Sequence, residues 1–133
     1  MLIALACSGC ATVQTTKPGA VGIERRQTML VSAESVEQGA QKAYAGEVQQ
    51  ASSSGKLNAD PALTARVRHI TDRLIPVTAA FRPDAPQWKW EVNTLTTPEI
   101  NAYAMPGGKI MVYSGLVEKL QLSDAEIAAV LGH

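Results

Sequence analysis

Two extended runs, Ile100–Met105 and Lys109–Leu116, are joined by Pro106-Gly107-Gly108. Glycine admits the positive φ that other residues resist, so the chain either reverses here as a hairpin or makes a tight crossover. Just upstream, the segment WKWEVNTL alternates. Trp88, Trp90 and Val92 share one side, and Lys89, Glu91 and Asn93 share the other. That period of two predicts a half-buried strand with both tryptophans turned into the core.

The helices announce themselves by their start signals. Ser123 and Glu126 have the spacing of a capping box, in which each side chain satisfies the other residue's free backbone N–H. The helix they open carries Ile127, Val130 and Leu131 as its expected buried stripe. His133 follows Ala129 and Val130 at helical spacing, which directs it to the same side, near the edge of the core. A second helix opens on Asp60 with Pro61 at the first helical position, where the missing N–H costs nothing. Its apolar face is Leu63, Val67, Ile70 and Leu74, and Pro76 ends it. His69 in this helix reads as a surface or boundary residue, not a ligand. An earlier helix starts at Ser32, with Glu34 and Glu37 near the positive end of its dipole. Its stripe of Val36, Ala40, Ala43, Tyr44 and Val48 is thin, so it is expected to lie on the body rather than inside it. The stretch ASSSGKLN breaks it. Helices followed by a small sheet make the fold class α+β.

Charge is balanced at 12 basic against 12 acidic residues, and aromatics are few. There is no basic excess to grip a phosphate backbone, so nucleic acid is not an expected partner. No apolar run approaches the roughly 18 residues needed to span a bilayer. The two cysteines, Cys7 and Cys10, sit at the extreme N-terminus, so neither a disulfide nor cysteine-ligated zinc is expected in the folded body. The run MLIALACSGC is short and apolar and ends in small residues before Cys10. It resembles the end of a bacterial lipoprotein signal, with Cys10 as the lipidated residue. Cys7 stands where leucine is usual, and no Lys or Arg precedes the apolar run; the second departure leads to the expectation that the true start lies upstream of Met1. The resemblance implies a signal over 1–10, a polar tether over 11–28 and a folded body over 29–133. Several acyl chains on Cys10 would anchor the protein stably to a membrane, since more than one chain is needed for that. Ala11, in place of Asp, implies the periplasmic side of the outer membrane by resemblance to lipoprotein sorting.

The run from Ile100 to His133, INAYAMPGGKIMVYSGLVEKLQLSDAEIAAVLGH, closely resembles the HtpX-like zinc metallopeptidases of peptidase family forty-eight. In that family an Asn-Ala-aromatic-Ala-aliphatic-Pro-Gly-Gly segment leads through a strand and a Ser-Gly-Leu turn to a helix carrying His-Glu-x-x-His. The resemblance implies the N-terminal part of a zincin-like domain, with a small antiparallel sheet or hairpin leading into the active-site helix. It aligns His133 with the first zinc ligand and puts the catalytic Glu, the second His and a further ligand beyond His133. Asn101, Ala102, Pro106, Gly107 and Gly108 match a segment that lines the substrate cleft. The cofactor so implied is one Zn2+ per chain of the whole protein, where two histidines four apart on a helix can reach one metal. One imidazole does not make a site, so the 133 residues alone are expected to be inactive.

The expected function is a lipid-anchored, zinc-dependent endopeptidase of the bacterial envelope, acting on protein or peptide substrates in quality control. An extended substrate could add to a sheet edge, for which KIMVYS is a candidate; the rival reading of that segment is a buried strand. The alternative function is a non-catalytic lipoprotein that kept the fold as a binding or chaperone-like module. A third reading, that the reading frame itself ends at His133, makes the chain a remnant.

Overall fold

The computed structural model describes residues 11–13, 27–29 and 32–133. Two short strands, β1 (Ala11–Val13) and β2 (Gln27–Met29), pair antiparallel. Cys10 and most of the expected signal and tether lie outside the described residues.

Helix α1 runs Ala33–Ser53 from the predicted N-cap, the Ser32 hydroxyl accepting the Ser35 N–H at 3.1 Å. It lies on the body as expected. Tyr44 and Ala51 are its buried residues, while Val36 is exposed. Helix α2 (Pro61–Leu74) starts where Asp60 accepts the Leu63 N–H at 3.0 Å, and a 3-10 turn around Pro76 takes over from Ile75. Its buried face is Leu63, Thr64, Val67, Ile70 and Thr71.

Three strands follow: β3 (Glu91–Leu95), β4 (Ala102–Met105) and β5 (Lys109–Tyr113), in the order β3-β5-β4. The β4–β5 pair is the predicted hairpin, turned by Pro106–Gly108 with both glycines at positive φ. The hairpin is extended into a mixed sheet. Strand β3 pairs with β5 in parallel, because the chain passes from β3 along the far side of β5 before the hairpin closes. This makes KIMVYS the central strand and not an edge, so the buried-strand reading of it is the correct one.

Strand β3 also begins three residues later than the alternation suggested. Trp88 and Trp90 belong to the approach loop. The Trp90 indole N–H donates to the Ala85 carbonyl at 2.8 Å, and that of Trp88 to Asp84 at 3.0 Å. Their backbone N–H groups are also used locally, Trp88 donating to the Ala85 carbonyl and Trp90 to the Trp88 carbonyl, so neither joins a ladder before Glu91, while the Trp90 ring packs on the core. Within β3, Val92, Asn93 and Thr94 are all buried, since helices cover both faces of the sheet. One face carries Val92, Ile110 and Val112 against α2, together with Val117 and Ile127. The opposite face, with Asn93, Met111, Tyr103 and Tyr113, receives α1.

Helices α3 (Ser114–Lys119) and α4 (Asp124–Gly132) complete the chain. The capping box of α4 is present: Glu126 accepts from the Ser123 backbone N–H at 2.8 Å, and the Glu126 N–H reaches the Ser123 hydroxyl at 3.4 Å. Its buried face, however, is Ile127, Ala128 and Leu131, and Val130 is 43% exposed. At about 100° per residue, Val130 falls roughly 100° from the centre of that face. Ile127 and Leu131, four residues apart, set the contact with α2.

Candidate functional site

The site region is where α4 meets the sheet. Arg66 of α2 ties down the start of α4, donating from Nε to Asp124 at 2.6 Å and from its terminal nitrogen to the Leu122 carbonyl at 2.8 Å. Ile127 and Leu131 then press the helix against the core, and α4 also packs on β4. Leu131 and Gly132 line a cavity of about 170 Å³ together with Trp90, Ile110 and Leu74. The last turn of α4 therefore lies over the part of the sheet where Ile110 faces Ala104.

His133 is the C-cap of α4 and is exposed. It shares the exposed side with Ala129 and Val130, so it lies off the core edge where the sequence reading put it. The cause is the same rotation that exposes Val130. His69 is exposed on α2, as expected. Among the described residues, no group of three His, Cys, Asp or Glu side chains could hold a metal ion. The residues present thus supply one candidate ligand and not a zinc site.

The hairpin residues have structural roles that can be stated. Gly107 and Gly108 turn the chain at φ +83° and +79°. A Cβ on Gly108 would come within 2.9 Å of the Trp90 ring, and the Gly108 carbonyl accepts the Glu91 N–H at 2.9 Å. Pro106 is exposed beside them. Ala102 packs against the core cluster. Asn101 is exposed, and its carbonyl accepts the Tyr113 N–H at 3.1 Å.

That last bond fixes which backbone groups of β4 are free. In an antiparallel pair, every second residue exchanges both its bonds with the partner. With Asn101 opposite Tyr113 as such a pair, Tyr103 and Met105 also face β5. The N–H and C=O groups of Ala102 and Ala104 then point off the outer edge of the sheet. The edge the sequence reading sought is β4, not KIMVYS.

Sequence reasoning missed the polar cluster on the opposite face. The Glu47 carboxylate of α1 accepts from the Tyr103 hydroxyl with Oε2 and from the Tyr113 hydroxyl with Oε1, the latter at 3.0 Å. The two tyrosine rings meet edge to face, 6.4 Å apart and at 78°. Burial, then the Glu47 hydrogen bond, pushes both phenols above their ordinary range. Nearby, the Tyr44 hydroxyl donates to the Ile110 carbonyl and accepts from Asn93, both at 3.0 Å. Burial pushes its pKa up to about 12, against the lowering effect of the Asn93 bond. These partners lie dozens of positions apart in the chain. The one local hint was that Tyr44 and Glu47 are three residues apart on one helix face.

Helices packed on both faces of a small mixed sheet are consistent with the N-terminal part of a peptidase domain. The description "Peptidase family M48" matches residues 61–133, more than half of the chain, and the chain belongs to that family. It is 48% identical over 44 residues to the mitochondrial metalloendopeptidase OMA1 of Arabidopsis thaliana, covering 33% of this chain and 9% of that protein. It is 40% identical over 45 residues to the protein of the same name from Schizosaccharomyces pombe, covering 34% of this chain and 13% of that one. The chain thus spans only about a tenth of the length of these relatives. No solved structure matches it.

Proposed function

We propose that the whole protein is a zinc-dependent endopeptidase, with His133 as the first ligand of its metal site. The observation that carries this is the placement of His133. It stands on the exposed face of a helix whose start is bonded by Arg66 and by the Ser123–Glu126 capping box, beside an edge strand with free backbone groups, in a chain of peptidase family M48. An imidazole on that face is available to a metal whose other ligands the rest of the protein provides. Zinc bound there would supply the Lewis acid for peptide-bond hydrolysis. Strand β4 would receive the substrate, an extended peptide pairing with Ala102 and Ala104 and passing near the end of α4.

The finer reading is an HtpX-like lipoprotein. Cys10 would carry the lipid, and the protein would work on the periplasmic side of the bacterial outer membrane, in protein quality control. The small-residue run before Cys10 supports it.

The test is metal analysis and proteolysis on the whole protein. About one zinc per chain is expected, with cleavage of an unfolded protein substrate that a chelator stops and His133→Ala abolishes. A metal-free protein that binds peptides without cutting them is instead the binding module. Labelled palmitate should enter the protein, and Cys10→Ser should prevent it.

A further inference from the structure

Strand β4 is four residues long and, among the described residues, has one strand neighbour. Its sequence is Ala-Tyr-Ala-Met, so Tyr103 is its only residue with a polar side chain. The alanines face the α2 and α4 side, and Tyr103 faces α1 with Tyr113, which stands at the end of the neighbouring strand. Both hydroxyls donate to one carboxylate, that of Glu47. Among the described residues no cation pairs with Glu47, so the two phenols are its hydrogen-bond partners. Hydrogen bonds to an ionised acceptor are roughly twice as strong as neutral ones.

Glu47 belongs to a helix that lies before residues 61–133, the part matched to the peptidase family. Its neighbour one turn back, Tyr44, is bonded to the central strand and to Asn93 of β3. Helix α1 is therefore fastened across the whole sheet: by Tyr44 to β3 and β5, and by Glu47 to β5 and β4.

We infer that Glu47 is a positioning residue for the peptide-receiving edge: by holding Tyr103 and Tyr113 from α1, it sets β4 so that the outward groups of Ala102 and Ala104 can pair with an incoming strand. This rests on the peptidase reading above. Glu47 touches neither substrate nor metal and acts through Tyr103. The arrangement ties a helix outside the matched region to the affinity of the edge for extended chains. It leaves His133, on the other side of the sheet, untouched.

The experiment compares Glu47→Ala, Tyr103→Phe and the exposed control Lys42→Ala in the whole protein. Two readouts are needed: the kinetics of cleavage of a flexible peptide, and amide hydrogen exchange along the chain. Loss of one such bond in Tyr103→Phe should raise KM roughly fivefold, and loss of both in Glu47→Ala at least as much, with kcat within about twofold of wild type in each. Exchange should quicken at Tyr103 and Met105, whose N–H groups bond to β5, and not at Val67 or Ile70. Lys42→Ala should change neither readout. If Glu47→Ala does not fold, Tyr103→Phe carries the test, since it keeps the ring and removes one bond. A wild-type protein that cleaves while both variants keep their KM overturns the inference alone, as does faster exchange spread evenly over the chain. A wild-type protein with no chelator-sensitive cleavage overturns the peptidase reading and this inference with it.

Discussion

Arg66 and Asp124 join α2 to the first turn of α4 at 2.6 Å, and the same guanidinium caps the Leu122 carbonyl at 2.8 Å. One side chain thus fixes the angle at which the histidine-bearing helix leaves the core. The two side chains are 37% and 67% exposed, so the ionic part is weak and solvent-screened. Replacing Arg66 by Ala should cost about 1 kcal/mol, most of it from the carbonyl bond. Thermal unfolding of the whole protein checks the cost. Hydrogen exchange in α4 should rise more than in α1, and equal change in both would refute the pinning role.

Gly115 opens α3 against the loop before β4. Its N–H donates to the Thr97 carbonyl at 2.9 Å, and a Cβ there would stand 2.5 Å from the Glu99 carbonyl oxygen and 2.6 Å from Pro98. Both obstacles are backbone, which cannot rotate away. Gly115→Ala should therefore destabilise by ~3 kcal/mol, the upper end for overpacking. Denaturant unfolding measures it, and a loss below the error of the method would mean the loop can retreat.

The capping box of α4 should respond to acid. The Ser123 side-chain hydrogen bond, then its backbone N–H, holds the Glu126 carboxyl below its usual range. A depressed carboxylate pKa contributes stability above the ordinary value near 4.5, and that contribution is lost as pH falls through the depressed value. The helix start should loosen only on that acid side. Ser123→Ala should cost about 1 kcal/mol at neutral pH and flatten the acid dependence. Hydrogen exchange at Glu126 and Ile127 across an acid series tests it.

Alkali should act on the other side of the sheet. Tyr44, Tyr103 and Tyr113, the only tyrosines in the chain, all have raised pKa values, chiefly through burial. A raised phenol pKa gives stability that is complete below the unfolded value near 10 and is lost as pH rises beyond it. For Tyr44 the loss falls between about 10 and about 12. Stability should hold level up to pH ~10 and then fall, and Tyr103→Phe should shallow the fall. Denaturation midpoints against pH would show it; a decline of equal slope in the variant would count against Glu47 holding the Tyr103 proton.

His133→Ala offers the sharpest contrast. The residue is exposed at the end of α4 and packs against nothing in the core cluster, so its removal should leave the folded stability of this region within about 0.5 kcal/mol. In the whole protein, zinc content and proteolysis should nonetheless be lost. A variant that keeps both shows that the ligand lies elsewhere.

Much of this was written locally. Asp60 with Pro61, Ser123 with Glu126, and the Pro-Gly-Gly turn act within four or five residues, and each produces its element wherever the rest of the chain goes. The α+β class followed from those elements in order, and the family from the resemblance carried by the run Ile100–His133. Alternation, however, reports how many faces are wet and not which strand lies alongside. For that reason the parallel pairing of β3 with β5, the central place of KIMVYS and the edge role of β4 were not legible. The tryptophans looked like strand residues because their spacing was right, but their backbone N–H groups bond within the preceding loop.

The sequence alone therefore determined where helices start and where the hairpin turns, since capping and turn bonds reach only a few residues. Tertiary structure decided that Val130 and His133 face water, that β4 is the open edge, and that Glu47 meets two tyrosines 56 and 66 positions away. Those outcomes depend on how whole faces pack, and packing chooses helix rotation and strand neighbours by contacts that no local pattern encodes.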